Sequence, residues 1–350
     1  MNDTLPAAFS LQDLGWTAFF ADQVEDGESD LVAHRITGVH RSRLTALSAS
    51  GPSTLILPAG WVTADYAVGD WVLAAGPDRT LVRRLDRHSI LQRRIEGKAA
   101  PQLAAANVDT LLVVTSCNDD FNVARLERYL AMANEAGTVP VIVLTKSDLV
   151  DDPAAYVDQA LALQRDLAVV CVNARRAEAA ATLAPWCGDG RTLALAGSSG
   201  VGKSTLVNTL VGAVWHASPE DGQDSGPQKT GTIRENDAKG RHTTVSRSMH
   251  AIQGGGWIID NPGMRNLHVS HVSDGLDTLF AEIVERAGQC RFRDCTHAHE
   301  PGCAVQAAVR AGELTEARVV RWRKLSEENR LNTPRQTGPR GNRTQQKKSW

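Results

Sequence analysis

The chain carries nothing that reads as an address outside the cytoplasm. Residues 1–16, MNDTLPAAFSLQDLGW, have no basic opening and no long apolar core, so they do not form a signal peptide. No stretch approaches the ~20 apolar residues of a membrane span, which excludes a membrane-embedded helix. Cysteine is scarce: there are six in 350 residues, and without an export signal they are expected as reduced thiols rather than a disulfide framework. Neither sign of charge is in excess, since 38 Lys and Arg against 40 Asp and Glu leave −2, and the whole chain has no electrostatic footprint for nucleic acid. Only the end departs from that balance. After Glu328 there is no acid and repeated Arg and Lys, so residues 329–350 read as a basic disordered tail suited to a polyanion such as RNA. No coiled coil or strong repeat is evident, and a cytoplasmic monomer is expected.

What is present divides into parts. Residues 31–92 hold short β-prone runs (39–47, 53–57 and 71–75) separated by Gly-Pro and Gly-Asp turns, which predicts an OB-fold-like β-barrel after an N-terminal extension, 1–30. In 100–268 the runs 110–115, 139–144, 168–172, 193–196 and 257–259 are apolar without alternation, as in strands buried on both faces of a parallel sheet. Helical stretches at 123–136 and 204–210 separate some of them, giving an α/β sheet with right-handed crossovers. Residues 271–328 read as helical, best at 277–287 and 304–311, around a cysteine-rich loop.

Gly197-Ser198-Ser199-Gly200-Val201-Gly202-Lys203-Ser204-Thr205 satisfies GxxxxGK[ST] between an apolar strand and a helix, the context the motif requires. The glycines let backbone N–H groups face phosphate oxygens, and the helix adds its positive end. Lys203 is placed to reach the outer phosphates and stabilise charge in hydrolysis, and Ser204 to ligate Mg²⁺. Asp260-Asn261-Pro262-Gly263 follows another buried strand as DxxG: Asp260 suits the magnesium shell, and the Gly263 N–H suits the γ-phosphate. Thr145-Lys146-Ser147-Asp148 follows a third strand and resembles NKxD, with Thr145 where Asn is usual. The Asp148 carboxylate would accept the two N–H groups that guanine offers and adenine does not. Asn173 ends the next strand, where a backbone N–H would meet the guanine oxygen. The order is the informative part: the guanine element precedes the phosphate loop and DxxG comes last, a circular permutation that keeps the site and moves the termini.

Cys290, Cys295 and Cys303 with a histidine supply three thiols and one imidazole, a set suited to one structural Zn²⁺; His297 and His299 are both possible nitrogens. Two other readings of the whole chain fit some of these motifs. One is a P-loop ATPase or kinase, which Asp148 opposes. The other is a non-catalytic nucleotide-dependent RNA-binding protein, which Ser204 and Asp260 oppose.

Together the permuted motifs and CRFRDCTHAHEPGC resemble the ribosome small subunit-dependent GTPase A family of bacteria over nearly the whole chain. The resemblance implies an N-terminal OB-fold, a permuted P-loop GTPase domain and a C-terminal helical zinc domain. It implies GTP hydrolysis to GDP and phosphate, stimulated by a small ribosomal subunit, rRNA included, that the protein helps to mature. It favours His297 over His299 as ligand. It implies that Thr243 or Thr244, the choice left open, completes the Mg²⁺ shell, and that His242 orients water where Met264 follows Gly263 in place of a glutamine. Residues 218–239, rich in Gly, Asp, Ser and Lys, read as a long switch loop.

Overall fold

The computed structural model describes residues 9–93, 101–212, 248–260 and 270–333. A short helix, α1 (Ala18–Ala21), precedes five strands: β1 (Val32–Val39), β2 (Leu44–Ser48), β3 (Gly51–Leu55), β4 (Trp71–Ala75) and β5 (Thr80–Arg84). They pair antiparallel in the order β3-β2-β1-β4-β5. The ring closes where Ile56 bridges Thr80: the Ile56 N–H donates to Arg79 at 3.1 Å, and the Leu81 N–H donates back to Ile56 at 2.9 Å. This one bridge ties the two outer strands of the ring together. Ile36, Leu44, Ala46, Leu55, Val72, Ala74 and Leu81 fill the interior. Residues 39–47, expected as one strand, instead span a hairpin. β1 ends at Val39, the His40 N–H donates to Arg43 at 3.0 Å across the turn, and β2 begins at Leu44.

A two-stranded hairpin, β6 (Ile90–Arg93) and β7 (Gln102–Ala106), leads into the α/β region. Its elements are β8 (Thr110–Ser116), α2 (Val123–Glu135), β9 (Val139–Thr145), α3 (Ala154–Leu161), β10 (Ala168–Val172), α4 (Glu178–Cys187), β11 (Thr192–Ala196), α5 (Lys203–Val211), β12 (Ser248–Ala251) and β13 (Trp257–Asp260). The sheet order is β10-β9-β8-β11-β13-β12, parallel throughout except for β12. From β8 the chain winds outward to β10, returns to β11 beside its starting point, and reaches β13 on the other flank. The switch point therefore lies between β8 and β11, where open α/β sheets bind ligands at the strands' carboxyl ends. The absence of alternation has a direct counterpart: Leu111, Val113, Ile142 and Leu144 enter one core, while Leu112, Val114, Val141 and Val143 enter the core on the opposite face. β12 also pairs with β1, which joins the barrel to this sheet.

The C-terminal part comprises α6 (Ser273–Leu279), α7 (Ala281–Ala287), α8 (Ala304–Arg310) and α9 (Glu316–Asn332). The expected helix at 277–287 starts earlier and breaks at Phe280 (φ −113°, ψ 35°). Arg318 holds the break. Its Nη2 donates to the Leu279 carbonyl at 2.8 Å, and its guanidinium carbon lies 4.1 Å from the Phe280 ring centroid. Arg318 also pairs with the fully buried Glu127 of α2 at 2.8 Å and with Glu282 at 2.9 Å, fixing the C-terminal helices to the α/β region. α9 continues past residue 328 because Asn329 is buried, accepting from the Val272 N–H at 3.1 Å and donating to Ser273 at 3.1 Å.

The N-terminal residues are built into the seam. Leu14 and Phe20 are buried, and Trp257 Nε1 donates to the Asp13 carbonyl at 2.7 Å. The buried Arg35 of β1 donates to Leu14, to Thr192 Oγ1 at 2.5 Å and to the Asn107 carbonyl at 3.3 Å, so one guanidinium satisfies groups from three segments.

Candidate nucleotide site and metal loop

The carboxyl ends of β9, β10, β11 and β13 carry the candidate nucleotide residues. Between β11 and α5 the chain turns through Gly197 (φ +141°), Gly200 (φ +81°) and Gly202 (φ +96°), backbone that side chains disfavour. At Gly197 the constraint is also one of space, since a Cβ there would lie 2.1 Å from the Val114 carbonyl oxygen. Gly202 caps α5, whose first residues are Lys203, Ser204 and Thr205. Lys203 Nζ donates to the Gly197 carbonyl at 2.7 Å and to the Ser198 carbonyl, so the cation lies over its own loop.

Neighbouring elements brace this loop. Thr145, at the end of β9 and buried, sets its hydroxyl 2.6 Å from the Val201 carbonyl and 3.0 Å from that of Thr115. The residue that departs from NKxD therefore keeps a bond to the phosphate loop through a shorter side chain. Arg125, on the first turn of α2, donates to Ser198 Oγ and to Asp120 at 3.0 Å. One turn later the buried Tyr129 meets the Gly197 backbone. Neither was expected at the site; Tyr129 read only as part of the apolar face of this helix, with Leu126, Leu130 and Ala133.

Beyond Thr145 the chain enters the left-handed region at Lys146 (φ +57°) and a 3-10 turn at Ser147–Leu149, leaving Asp148 exposed. After β10, Asn173 Oδ1 accepts from the Arg175 N–H at 3.0 Å. The neighbouring Ala174 carbonyl accepts from Thr209 of α5 at 2.6 Å, which ties this turn to the helix behind the phosphate loop. Asp260 closes β13, half-buried and opposite Ser248.

The second cluster lies between α7 and α8. One ligand atom each from Cys290, Cys295, His297 and Cys303 lies within 4.8 Å of every other. Cys290 Sγ is 3.5 Å from His297 Nδ1 and 3.8 Å from Cys303 Sγ, and Cys303 Sγ is 3.6 Å from His297 Nδ1. A tetrahedral ion with bonds of ~2.3 Å to sulfur and ~2.05 Å to nitrogen sets S–S near 3.8 Å and S–N near 3.6 Å, so Cys290, His297 and Cys303 already stand at the spacing of Zn²⁺ ligands, with Cys295 as the fourth donor within 4.8 Å of each. Burial pushes the His297 imidazole below its ordinary 6.5, towards the neutral form that ligates. Its ring stands 5.2 Å from Trp322 of α9. His299 is exposed and outside the cluster. Glu300 was not anticipated: it accepts from the N–H groups of Thr296 (2.9 Å), Ala298 (3.1 Å) and His299 (3.2 Å). The Thr296 hydroxyl, followed by these N–H donors, holds its carboxyl well below the usual carboxylate range.

Comparison with known proteins decides the family. The RsgA GTPase model matches residues 84–270, more than half of the chain. A small ribosomal subunit biogenesis GTPase RsgA of Mesorhizobium japonicum is 61% identical over 332 residues, 95% of this chain and 93% of the relative. The chain belongs to the RsgA GTPase family. A small ribosomal subunit biogenesis GTPase RsgA 2 of Vibrio vulnificus is 45% identical, across 93% of this chain and 89% of its own. Two solved structures share the fold. YjeQ of Thermotoga maritima has a TM-score of 0.61 at 23% identity, over 85% of this chain and 98% of that one. YloQ, described as a circularly permuted GTPase, has a TM-score of 0.58 at 22% identity, over 89% and 99%.

For this RsgA-family GTPase, the structure brings Thr145, Lys203 and residues 197–202 into one bonded unit, with Asp148, Asn173 and Asp260 on the same edge of the sheet. His242, Thr243, Thr244 and Gly263 lie outside the described residues, as do the loop 218–239 and the chain after 333. No helix among the described residues is long and apolar enough to cross a membrane.

Proposed function

We propose that this GTPase binds the small ribosomal subunit, rRNA included, and assists its late maturation, with hydrolysis stimulated by the subunit. The observation that carries this reading is the 61% identity, over 95% of the chain, to a relative named for small-subunit biogenesis. In this reading residues 31–92 are an RNA-facing barrel, 100–268 the GTPase domain and 271–328 the zinc domain. Residues 1–30 are an N-terminal extension, of which the segment around Asp13 and Leu14 bonds to both of the first two, and the basic tail follows.

In the GTPase domain the 197–202 backbone cradles the phosphates. Lys203, drawn off its own carbonyls by the incoming anion, faces the β and γ oxygens, where fixed positive charge favours the transition state over the ground state. Ser204 and Asp260, with Thr243 or Thr244, would hold Mg²⁺, which supplies charge neutralisation between the outer phosphates. Asp148 would take the guanine N–H pair, Lys146 and Ser147 would flank it, and the turn at Asn173 would meet the guanine oxygen. Gly263 would read the γ-phosphate and His242 would orient the attacking water. Cys290, Cys295, His297 and Cys303 would hold one Zn²⁺, which supplies a cross-link to a loop with little core of its own. A cytoplasmic, monomeric protein is consistent with this work.

Co-sedimentation tests the partner. The chain should pellet with purified small subunits in the presence of a non-hydrolysable GTP analogue and be released with GDP. Equal recovery with both nucleotides, or none with either, contradicts the proposal.

A further inference from the structure

The metal loop contains an anion that is not a ligand. Glu300 lies between His297 and Cys303 in sequence, and its two oxygens collect donors from the turn on either side of His297. Oε1 takes the Thr296 N–H at 2.9 Å and the Thr296 hydroxyl; Oε2 takes the N–H groups of Ala298 at 3.1 Å and His299 at 3.2 Å, and the Cys295 thiol donates to it at 3.8 Å. These donors flank His297 on both sides, and His297 itself sits at φ +58°, left-handed backbone that non-glycine residues adopt uncommonly. Something must hold it there. Two further contacts do so from other directions: Gln306 Nε2 donates to the His297 carbonyl at 2.9 Å, and the Trp322 ring lies against the imidazole at 5.2 Å. Backbone N–H groups converging on a carboxylate are stronger than neutral hydrogen bonds, and they fix the turn before any ion arrives.

We propose that Glu300 is a positioning residue for the metal: by gathering the N–H groups around His297 it holds the strained turn that presents Nδ1 to the three sulfurs, and so sets metal affinity without touching the ion. The inference rests on the zinc reading above. Its physical content is preorganisation. Partners outside the ligand set typically change metal affinity about 10- to 100-fold. Glu300→Gln is the sharp substitution, because the amide keeps the shape but replaces one acceptor oxygen with a donor. That NH₂ must then face either the Thr296 pair or the Ala298 and His299 N–H groups. Glu300→Asp keeps the charge and shortens the reach.

The test is zinc affinity of the full-length chain by competition with a chromogenic chelator of known affinity, with GDP affinity measured in parallel as a control on folding of the remote nucleotide site. Wild type should bind one zinc. Glu300→Gln should bind it about 10- to 100-fold more weakly, Glu300→Asp should fall between, and GDP affinity should be unmoved in both. In a parallel titration, cobalt in excess should give the tetrahedral visible absorption and thiolate charge-transfer bands of wild type in both variants, since no ligand has been removed. Both variants matching wild-type zinc affinity within twofold would overturn the positioning role while leaving the zinc reading intact. An altered cobalt spectrum would place Glu300 among the ligands and overturn it too. A wild-type chain that takes up no zinc would sink both.

Discussion

The phosphate loop and the metal loop solve opposite problems. Three of the metal loop's four donors are already in place: Cys290, His297 and Cys303 stand 3.5, 3.6 and 3.8 Å apart, the distances of a tetrahedral ion, and a carboxylate bonds the turn around the histidine. The phosphate loop has a backbone set by glycines and by Thr145, yet its one cation is folded onto its own carbonyls and must move before it can meet a phosphate. On the proposed reading, a site that holds an ion permanently can spend its donors on rigidity. A site that must bind a triphosphate and release a diphosphate keeps a rigid cradle and a movable charge. One helix touches both neighbourhoods: α2 meets the phosphate loop with Arg125 and the C-terminal helices with Glu127.

That contrast can be broken in order of size. Lys203→Ala removes the movable charge and should lower GTP turnover at least about 100-fold, a loss comparable to deleting a transition-state hydrogen-bond donor, as read by phosphate release. Gly197→Ala attacks the cradle instead. A Cβ 2.1 Å from Val114 O at φ +141° should destabilise the fold by more than about 3 kcal/mol in denaturant unfolding. Gly202→Ala, with its nearest neighbour at 3.7 Å, should cost less, and equal losses would refute the steric account. Thr145→Val leaves the Val201 carbonyl without its hydroxyl partner and should weaken GDP binding by roughly 1–3 kcal/mol in calorimetry. The smallest effect separates thiols. Burial pushes Cys117 and Cys187 up to about 11 from an ordinary 9.0, so both should resist alkylation at pH 8. After chelation of metal, the loop cysteines should react first. For those two buried thiols the unfolded state loses protons first, so stability should fall as pH rises from 9 towards 11.

The legible parts of this fold were those with strong local physics. The apolar run 110–115 matched β8 to within one residue, because burial on both faces removes any polar alternation, and the run 168–172 matched β10 to the residue although that edge strand is mostly half-buried. The GxxxxGKS spacing located the phosphate loop because only glycine tolerates the φ values used there. The failures arose where one segment answers to several others. The run 39–47 has strand composition throughout, and only its pairing partners show that it is two strands and a turn. The helix at 277–287 breaks at Phe280 because Arg318, far along the chain, satisfies the freed carbonyl. α9 was not singled out because two of its four buried residues, Arg318 and Asn329, are polar, which blurs the apolar stripe. Thr145 looked like a weakened NKxD, yet its hydroxyl is short enough to bond Val201 directly, a matter of distance that a motif does not encode.

The measurement that bears most directly on this account is hydrolysis of GTP and of ATP by the purified chain, each with and without small ribosomal subunits. The account predicts slow GTP turnover that rises strongly when subunits are added, with ATP inert in both conditions. Equal turnover of ATP would contradict the placement of Asp148, and GTP turnover indifferent to subunits would contradict the ribosomal role.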